Sequence, residues 1–183
     1  MTDPFIDFGK MPRLSRGCTI TEKIDGTNAQ VFIPDDLSYL RAGSRNRWIT
    51  PTDDNYGFAG WVERNRDELM LLGPGRHFGE WWGSGIQRRY GRAGQDTKTF
   101  SLFNAERWQA TPPPACCSVV PVLYRGAFTD SAVDDTIAAL ASGGSIAAPG
   151  FMDPEGIIVF HHASRTMFKK TIKNDEKPKS LAA

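Results

Sequence analysis

Short runs of alternating apolar residues, divided by turn residues, restrict most strongly what this chain can fold into. Residues 19–24 (TITEKI) and 29–33 (AQVFI) flank Asp25-Gly26, a turn pair that between two such runs predicts a β-hairpin. Residues 39–44, 77–82 and 99–105 read as further strands, and residues 119–124 as an apolar strand that Pro121 confines to a sheet edge. Residues 156–160 and 166–170 form a last predicted hairpin. Helical spacing intervenes twice. After the helix-start residues Thr52-Asp53-Asp54-Asn55 come Phe58, Trp61, Val62, Leu69 and Leu72, ended by Gly73-Pro74, in a helix expected to pack on a sheet. Residues 129–141 begin at an N-capping threonine, place Val133, Ile137 and Leu140 on one face and close at Gly143-Gly144. Pro112 to Pro114 mark a surface connection. Many strands without a βαβ rhythm predict an α+β fold of mostly antiparallel sheets with flanking helices.

With 183 residues and no internal repeat, one domain is expected over residues 1–175, followed by a polar, fraying tail over 176–183. Apolar (40%) and charged (23%) contents exclude a disordered chain, and no apolar run approaches the roughly 20 residues of a membrane helix. The N-terminal residues lack the basic-then-apolar order of a signal peptide. Cys18, Cys116 and Cys117 cannot all pair within the chain and are not spaced as zinc ligands, which fits a reducing cytoplasm. The net charge of +1 hides three basic clusters, at 41–47, 88–92 and 165–179, compatible either with a local polyanion site or with solvated surface charge.

Lys23 stands two residues before Asp25-Gly26, at the end of a predicted strand. A lysine held there in a pocket beside cationic groups can lose its proton and attack an electrophile. Neither a Gly-x-Gly-x-x-Gly nor a Walker phosphate loop is present, so a nucleotide would have to be held by side chains on strands.

Five segments in order give Lys23 a context: Glu22-Lys23-Ile24-Asp25-Gly26-Thr27-Asn28; Ser44-Arg45-Asn46-Arg47; GEWWGSGI at 79–86 with FSLFN at 100–104; Glu155-Gly156-Ile157-Ile158-Val159; and FKKTIK at 168–173. Together they resemble the covalent nucleotidyltransferases, a superfamily of polynucleotide ligases and capping enzymes, and most of all the RNA ligases related to phage T4 RNA ligase 2. The resemblance covers about residues 18–173 and implies the nucleotidyltransferase (ATP-grasp-like) domain of ligases. It implies ATP and Mg²⁺ or Mn²⁺ as cofactors and a lysyl-AMP intermediate at Lys23. The partner would be RNA with a 5′-phosphate and a 3′-hydroxyl.

The same resemblance implies roles for other residues. Ile24 and Asp25 would line the nucleotide site, and Glu22 would lie near the adenine amino group. Arg45, or Arg47 in its place, would meet the nucleotide phosphate or sugar. Glu80 would hold the ribose hydroxyls, and Phe103 would stack on adenine unless it is ordinary core. Asn104 stands where many relatives carry Asp. Glu155 would hold the metal near the α-phosphate. Lys169, Lys170 and Lys173 compete for the two phosphate-neutralising positions, strand alternation favouring Lys169. Arg47, Arg88 and Arg89, with Arg92, would contact RNA phosphates. His77, His161 and His162 lack zinc spacing and read as structural or surface, and Trp81 and Trp82 as core and pocket wall.

Relatives in this superfamily usually carry a C-terminal domain, an OB-fold in DNA ligases and capping enzymes. The ten residues after Lys173 are too few for one, so a partner supplying its function is conceivable. A small ATP-dependent DNA ligase, a capping guanylyltransferase and a non-catalytic nucleotide- or RNA-binding module are the alternatives.

Overall fold

The computed structural model describes residues 3–92 and 97–176. Its strands are β1 (Gly17–Lys23), β2 (Thr27–Ile33), β3 (Arg41–Ser44), β4 (Trp48–Ile49), β5 (Gly75–Gly83), β6 (Lys98–Leu102), β7 (Cys117–Val119), β8 (Val122–Ala127), β9 (Gly156–His161) and β10 (Thr166–Thr171). The helices are α1 (Phe58–Arg64), α2 (Arg66–Met70) and α3 (Asp130–Gly143). The strands form a four-stranded sheet, β10-β9-β1-β8, and a six-stranded sheet, β4-β3-β2-β5-β6-β7, in which every pairing is antiparallel except β6 with β7. The α+β reading holds.

The predicted hairpin across Asp25-Gly26 does not form. β1 pairs with β8 and β9, whereas β2 pairs with β3 and β5, so the dipeptide carries the chain from one sheet to the other. Neighbours far along the chain override the local turn signal. A Cβ on Gly26 would lie 2.5 Å from the Trp81 carbonyl oxygen and 2.7 Å from Trp82 Cβ, so only glycine lets the backbone pass this close to β5. Asp25 also ties this joint to the loop after β5, accepting from Arg88 Nε at 3.0 Å.

The apolar stretch at 119–124 also divides between the sheets. β7 ends in the larger sheet and β8 begins at the edge of the smaller one, with Pro121 in the crossing. Proline has no N–H to leave unpaired there, and its carbonyl accepts the Glu22 N–H at 2.9 Å. The helical run from Phe58 to Leu72 breaks at Asn65, whose side-chain amide donates to the Trp61 carbonyl at 2.8 Å, competing with the helix ladder. Asp54 provides the entry to α1, accepting the Ala59 and Gly60 N–H groups at 2.8 and 3.0 Å. The 129–141 helix and the final hairpin form as expected. Thr129 Oγ1 accepts the Ala132 N–H at 3.0 Å, and β9 pairs with β10 from Gly156↔Thr171 to His161↔Thr166. The polar tail lies outside the described residues from 177 onward.

Three cores result. Ala29, Val31, Ile33, Trp81, Phe100 and Leu102 on one face of the larger sheet pack against Phe58, Val62, Leu69 and Leu72 of the α1–α2 segment. Each such large side chain, buried fully, contributes about 1.5–3 kcal/mol. On the smaller sheet Cys18, Ile20, Ile157 and Val159 pack against Val133, Ile137 and Leu140 of α3. The third core joins the sheets directly behind Lys23: Ile24, Trp82, Tyr90, Val120 and Ala148. Trp81 and Trp82 therefore both serve as core, on opposite faces of β5.

Candidate active site between two sheets

Because β1 crosses to the second sheet immediately after Lys23, this lysine sits at the seam, opposite Gly156 of β9. Its Nζ lies 2.6 Å from Glu155 Oε2, with the side chains 19% and 10% exposed, so the pair is shielded but reachable from solvent. Glu80 comes from β5 on the other sheet, in register with Asn28 of β2, whose amide donates to it at 3.3 Å. Burial pushes the Glu80 carboxyl up to about 7; Lys23 opposes that rise, and Glu155 and Asp25 add to it. Lys23, Glu80 and Glu155 thus form one electrostatic unit drawn from both sheets. The sequence expectation that Lys23 would sit beside cations is corrected here. Its nearest charged partner is a carboxylate.

The loop after β5 and the segment before β9 close the rim. Arg88 bridges Asp25 (3.0 Å) and Asp153 (2.7 Å), and Lys173 also reaches Asp153 at 2.7 Å. Arg88 and Lys173 are therefore held at the site by carboxylates. Lys169 shares the Lys23 face of the smaller sheet, through the register Thr21↔Ile158↔Lys169. Lys170 is not brought to the site. Strand alternation turns it to the α3 face, where its Nζ meets Asp134 at 2.6 Å.

Glu22 likewise faces away from Lys23. It is 1% exposed, and its carboxylate accepts from the hydroxyls of Tyr90 and Ser145 and from the N–H groups of Ile146 (2.9 Å) and Ala147 (3.0 Å). Its oxygens are committed to the protein, and the side chain of Ile24 is likewise committed to the third core, which leaves only backbone groups of either residue to a ligand. Phe103 follows β6, is 37% exposed, and donates its N–H to the Phe78 carbonyl at 2.9 Å, so it is not ordinary core. Arg45 and Arg47 lie exposed between β3 and β4, with Arg47 paired to Asp53. Arg89 is exposed, and Arg92 lies over the Trp82 ring at 4.6 Å.

Tyr90, Ser145 and Asp153 were not foreseen. Tyr90 is fully buried at the centre, and its hydroxyl touches three site segments: it donates to Glu22 Oε1 at 2.8 Å, lies 3.3 Å from the Lys23 carbonyl and accepts the Glu155 N–H at 3.4 Å. Burial and the Glu22 carboxylate hold its ionisation well above the ordinary tyrosine range, so it stays a donor. No sequence signal marks it. It lies in a basic, glycine-punctuated loop and adopts φ 35°, a conformation rare for a non-glycine residue.

Among the described residues there is no group of three or more His, Cys, Asp or Glu side chains that could hold a metal ion. His77 binds the Gly73 carbonyl at 2.9 Å. A divalent cation shared with phosphate needs only one or two carboxylates. Glu155, with Glu80 beside it, fits that requirement.

The sequence model of the RNA ligase family matches residues 17–173, the span that contains both sheets and the seam. This chain belongs to the RNA ligase family. Solved RNA ligase structures from Naegleria gruberi share the fold. An apo lysine-to-alanine mutant aligns with a TM-score of 0.63 at 20% identity over 86% of this chain and 50% of its own. An arginine-to-alanine mutant with ATP and Mn gives 0.63 at 19% identity over 87% and 51%. A glutamate-to-alanine mutant with AMP and Mn gives 0.63 at 20% identity over 85% and 49%. The chain thus spans about half the length of these ligases. No curated protein matches it significantly. Among the described residues no helix is long and apolar enough to cross a membrane.

Proposed function

We propose that the chain is the adenylyltransferase unit of an ATP-dependent RNA ligase of the kind related to phage T4 RNA ligase 2, acting in the cytoplasm as one domain over residues 1–175. The observation that carries this reading is the Lys23–Glu155 contact at 2.6 Å, set at a seam where Glu80 arrives from the opposite sheet. Lys23 Nζ attacks the α-phosphorus of ATP, forming a P–N bond as the bond to pyrophosphate breaks. AMP then passes to an RNA 5′-phosphate, and a 3′-hydroxyl displaces it to join the strands.

An ammonium paired with a carboxylate has no lone pair to offer, so Lys23 Nζ has to give up a proton and the Lys23–Glu155 contact has to open before attack. Glu155 would hold Mg²⁺ or Mn²⁺, which would supply charge neutralisation at the α-phosphate. Lys169, on the Lys23 face, stabilises charge on the transferring phosphate, with Lys173 at the rim; Lys170 has a structural pairing instead. Glu80 accepts the ribose hydroxyls and exposed Phe103 stacks on the base. Asp25 orients Arg88, and Arg45 contacts the nucleotide phosphate or sugar. Arg47, Arg88 and Arg89 contribute to RNA phosphate binding. The Naegleria structures with ATP or AMP and Mn support the choice of nucleotide and metal. Sealing by this unit would draw on further chain or a partner, given that the solved ligases are about twice its matched length.

Labelled ATP and GTP, offered separately with 5′-phosphorylated RNA, test the proposal. ATP should label the protein and then the RNA 5′ end, and gels with nicked RNA, nicked DNA and single-stranded RNA should show joining of RNA. Labelling by GTP alone, or joining of DNA alone, would overturn it.

A further inference from the structure

The polar face of the larger sheet carries a feature that the nucleotide pocket does not use. Strand register places Asn28, Gln30 and Phe32 of β2 on the same face as Glu80 and Phe78 of β5, and as Arg41 and Gly43 of β3. At the far end of this face Phe32 packs against Tyr39 (ring centroids 6.2 Å apart) and Trp48 (6.0 Å). Two arginines lie on these rings. Arg41 sits 4.4 Å from the Trp48 centroid, and Arg76 sits 4.9 Å from Phe32 and 5.3 Å from Trp48. Arg76 also donates to Gln30 Oε1 at 3.2 Å. Among the described residues neither arginine makes a salt bridge. Both are exposed, as are Tyr39 (42%) and Phe78 (51%).

A guanidinium over an aromatic ring can offer its outer face to a base and its remaining N–H groups to phosphate. Aromatic rings beside uncompensated positive charge match single-stranded nucleic acid, whose bases stack and whose backbone is anionic. Phe32 lies four residues beyond Asn28, about 13 Å along the strand at about 3.3 Å per residue. That distance corresponds to roughly four stacked nucleotides at about 3.4 Å each. Exposed Phe78, in register with Gln30, makes the surface continuous from Glu80 to the platform.

We propose that Phe32, Tyr39, Trp48, Arg41 and Arg76 form a stacking platform that binds the single-stranded RNA leading away from the reacting end, about four nucleotides along β2 from the Asn28–Glu80 pair. This rests on the RNA ligase reading of the seam. None of these residues takes part in the lysine chemistry.

Fluorescence anisotropy of a labelled, 5′-phosphorylated ten-nucleotide RNA tests it, with the unsubstituted protein, Trp48→Leu and the double variant Arg41→Gln/Arg76→Gln. Thermal melting and AMP loading of Lys23 are measured on the same samples. The expected result is binding weakened by about fivefold or more in each variant, with melting and loading unchanged. The double variant should also show a shallower salt dependence. Equal RNA affinity in folded, AMP-loading variants would overturn the platform, as would no RNA binding by the unsubstituted protein. Absence of AMP loading in the unsubstituted protein would instead overturn the ligase reading, while the binding comparison would still decide the platform.

Discussion

Glu80 is the residue where burial and charge bear most directly on function. Its carboxyl titrates at about 7 in the fold, against an ordinary 4.5. Between those values the folded protein holds more protons than the unfolded chain, so this residue makes stability fall as pH rises from about 4.5 to 7, and level off above. The effect is on the order of 3 kcal/mol. Urea unfolding across this window should show the decline, and Glu80→Gln should flatten it; an equal slope in the variant would contradict the assignment. The ionised carboxylate is the better acceptor for two ribose hydroxyls, so adenosine, which has no titrating phosphate, should bind more tightly at pH 8 than at pH 6. Glu80→Gln should remove that difference in calorimetry. Tyr90 acts through its neighbours and is a positioning residue. Tyr90→Phe removes one of four donors from the buried Glu22 carboxylate and should cost about 1–3 kcal/mol of stability. It should also slow AMP loading at saturating ATP without weakening ATP binding. A variant as stable and as fast as the parent would show that the hydroxyl does neither.

At the scale of elements, the Asp25-Gly26 joint decides where Lys23 points. Adding a methyl group at Gly26 sets it against the backbone of β5, which cannot yield as a flexible side chain would. Gly26→Ala should therefore lower the melting temperature and abolish AMP loading together, whereas Gly85→Ala, where a Cβ meets nothing within 4 Å but φ is +75°, should carry only a backbone cost. Similar melting of the two variants would contradict the close-approach account. This joint also shows what the sequence could and could not reveal. Strands and helices with clear period-two or period-3.6 patterns, such as α3 and the β9–β10 hairpin, were legible because local residues set them. Asp25-Gly26 carries a local hairpin signal, yet β1 and β2 obtain their partners from β9, β8, β3 and β5, which lie up to 143 residues away. Of the candidate site, Lys23, Glu80 and Glu155 stood out in the sequence as motif residues, and the fold brings these three together at the seam. Glu22 and Lys170 could not be placed until strand faces were known. Tyr90 and Asp153 are tied in by tertiary contacts that leave no motif.

For the whole molecule, Lys23 of β1 and Glu155, just before β9, come from the side of the smaller sheet and Glu80 from the larger, and the core of Ile24, Trp82 and Tyr90 joins the sheets behind them. The matched span is about half of each solved Naegleria ligase. The proposed adenylylation of Lys23 draws on seam residues that this chain contains, and it is the most direct test. Intact-mass measurement of this chain after incubation with ATP and Mg²⁺ or Mn²⁺ should show an increase of one AMP, absent from Lys23→Ala. No adduct with either metal across neutral and alkaline pH, or an adduct that persists in Lys23→Ala, would contradict it.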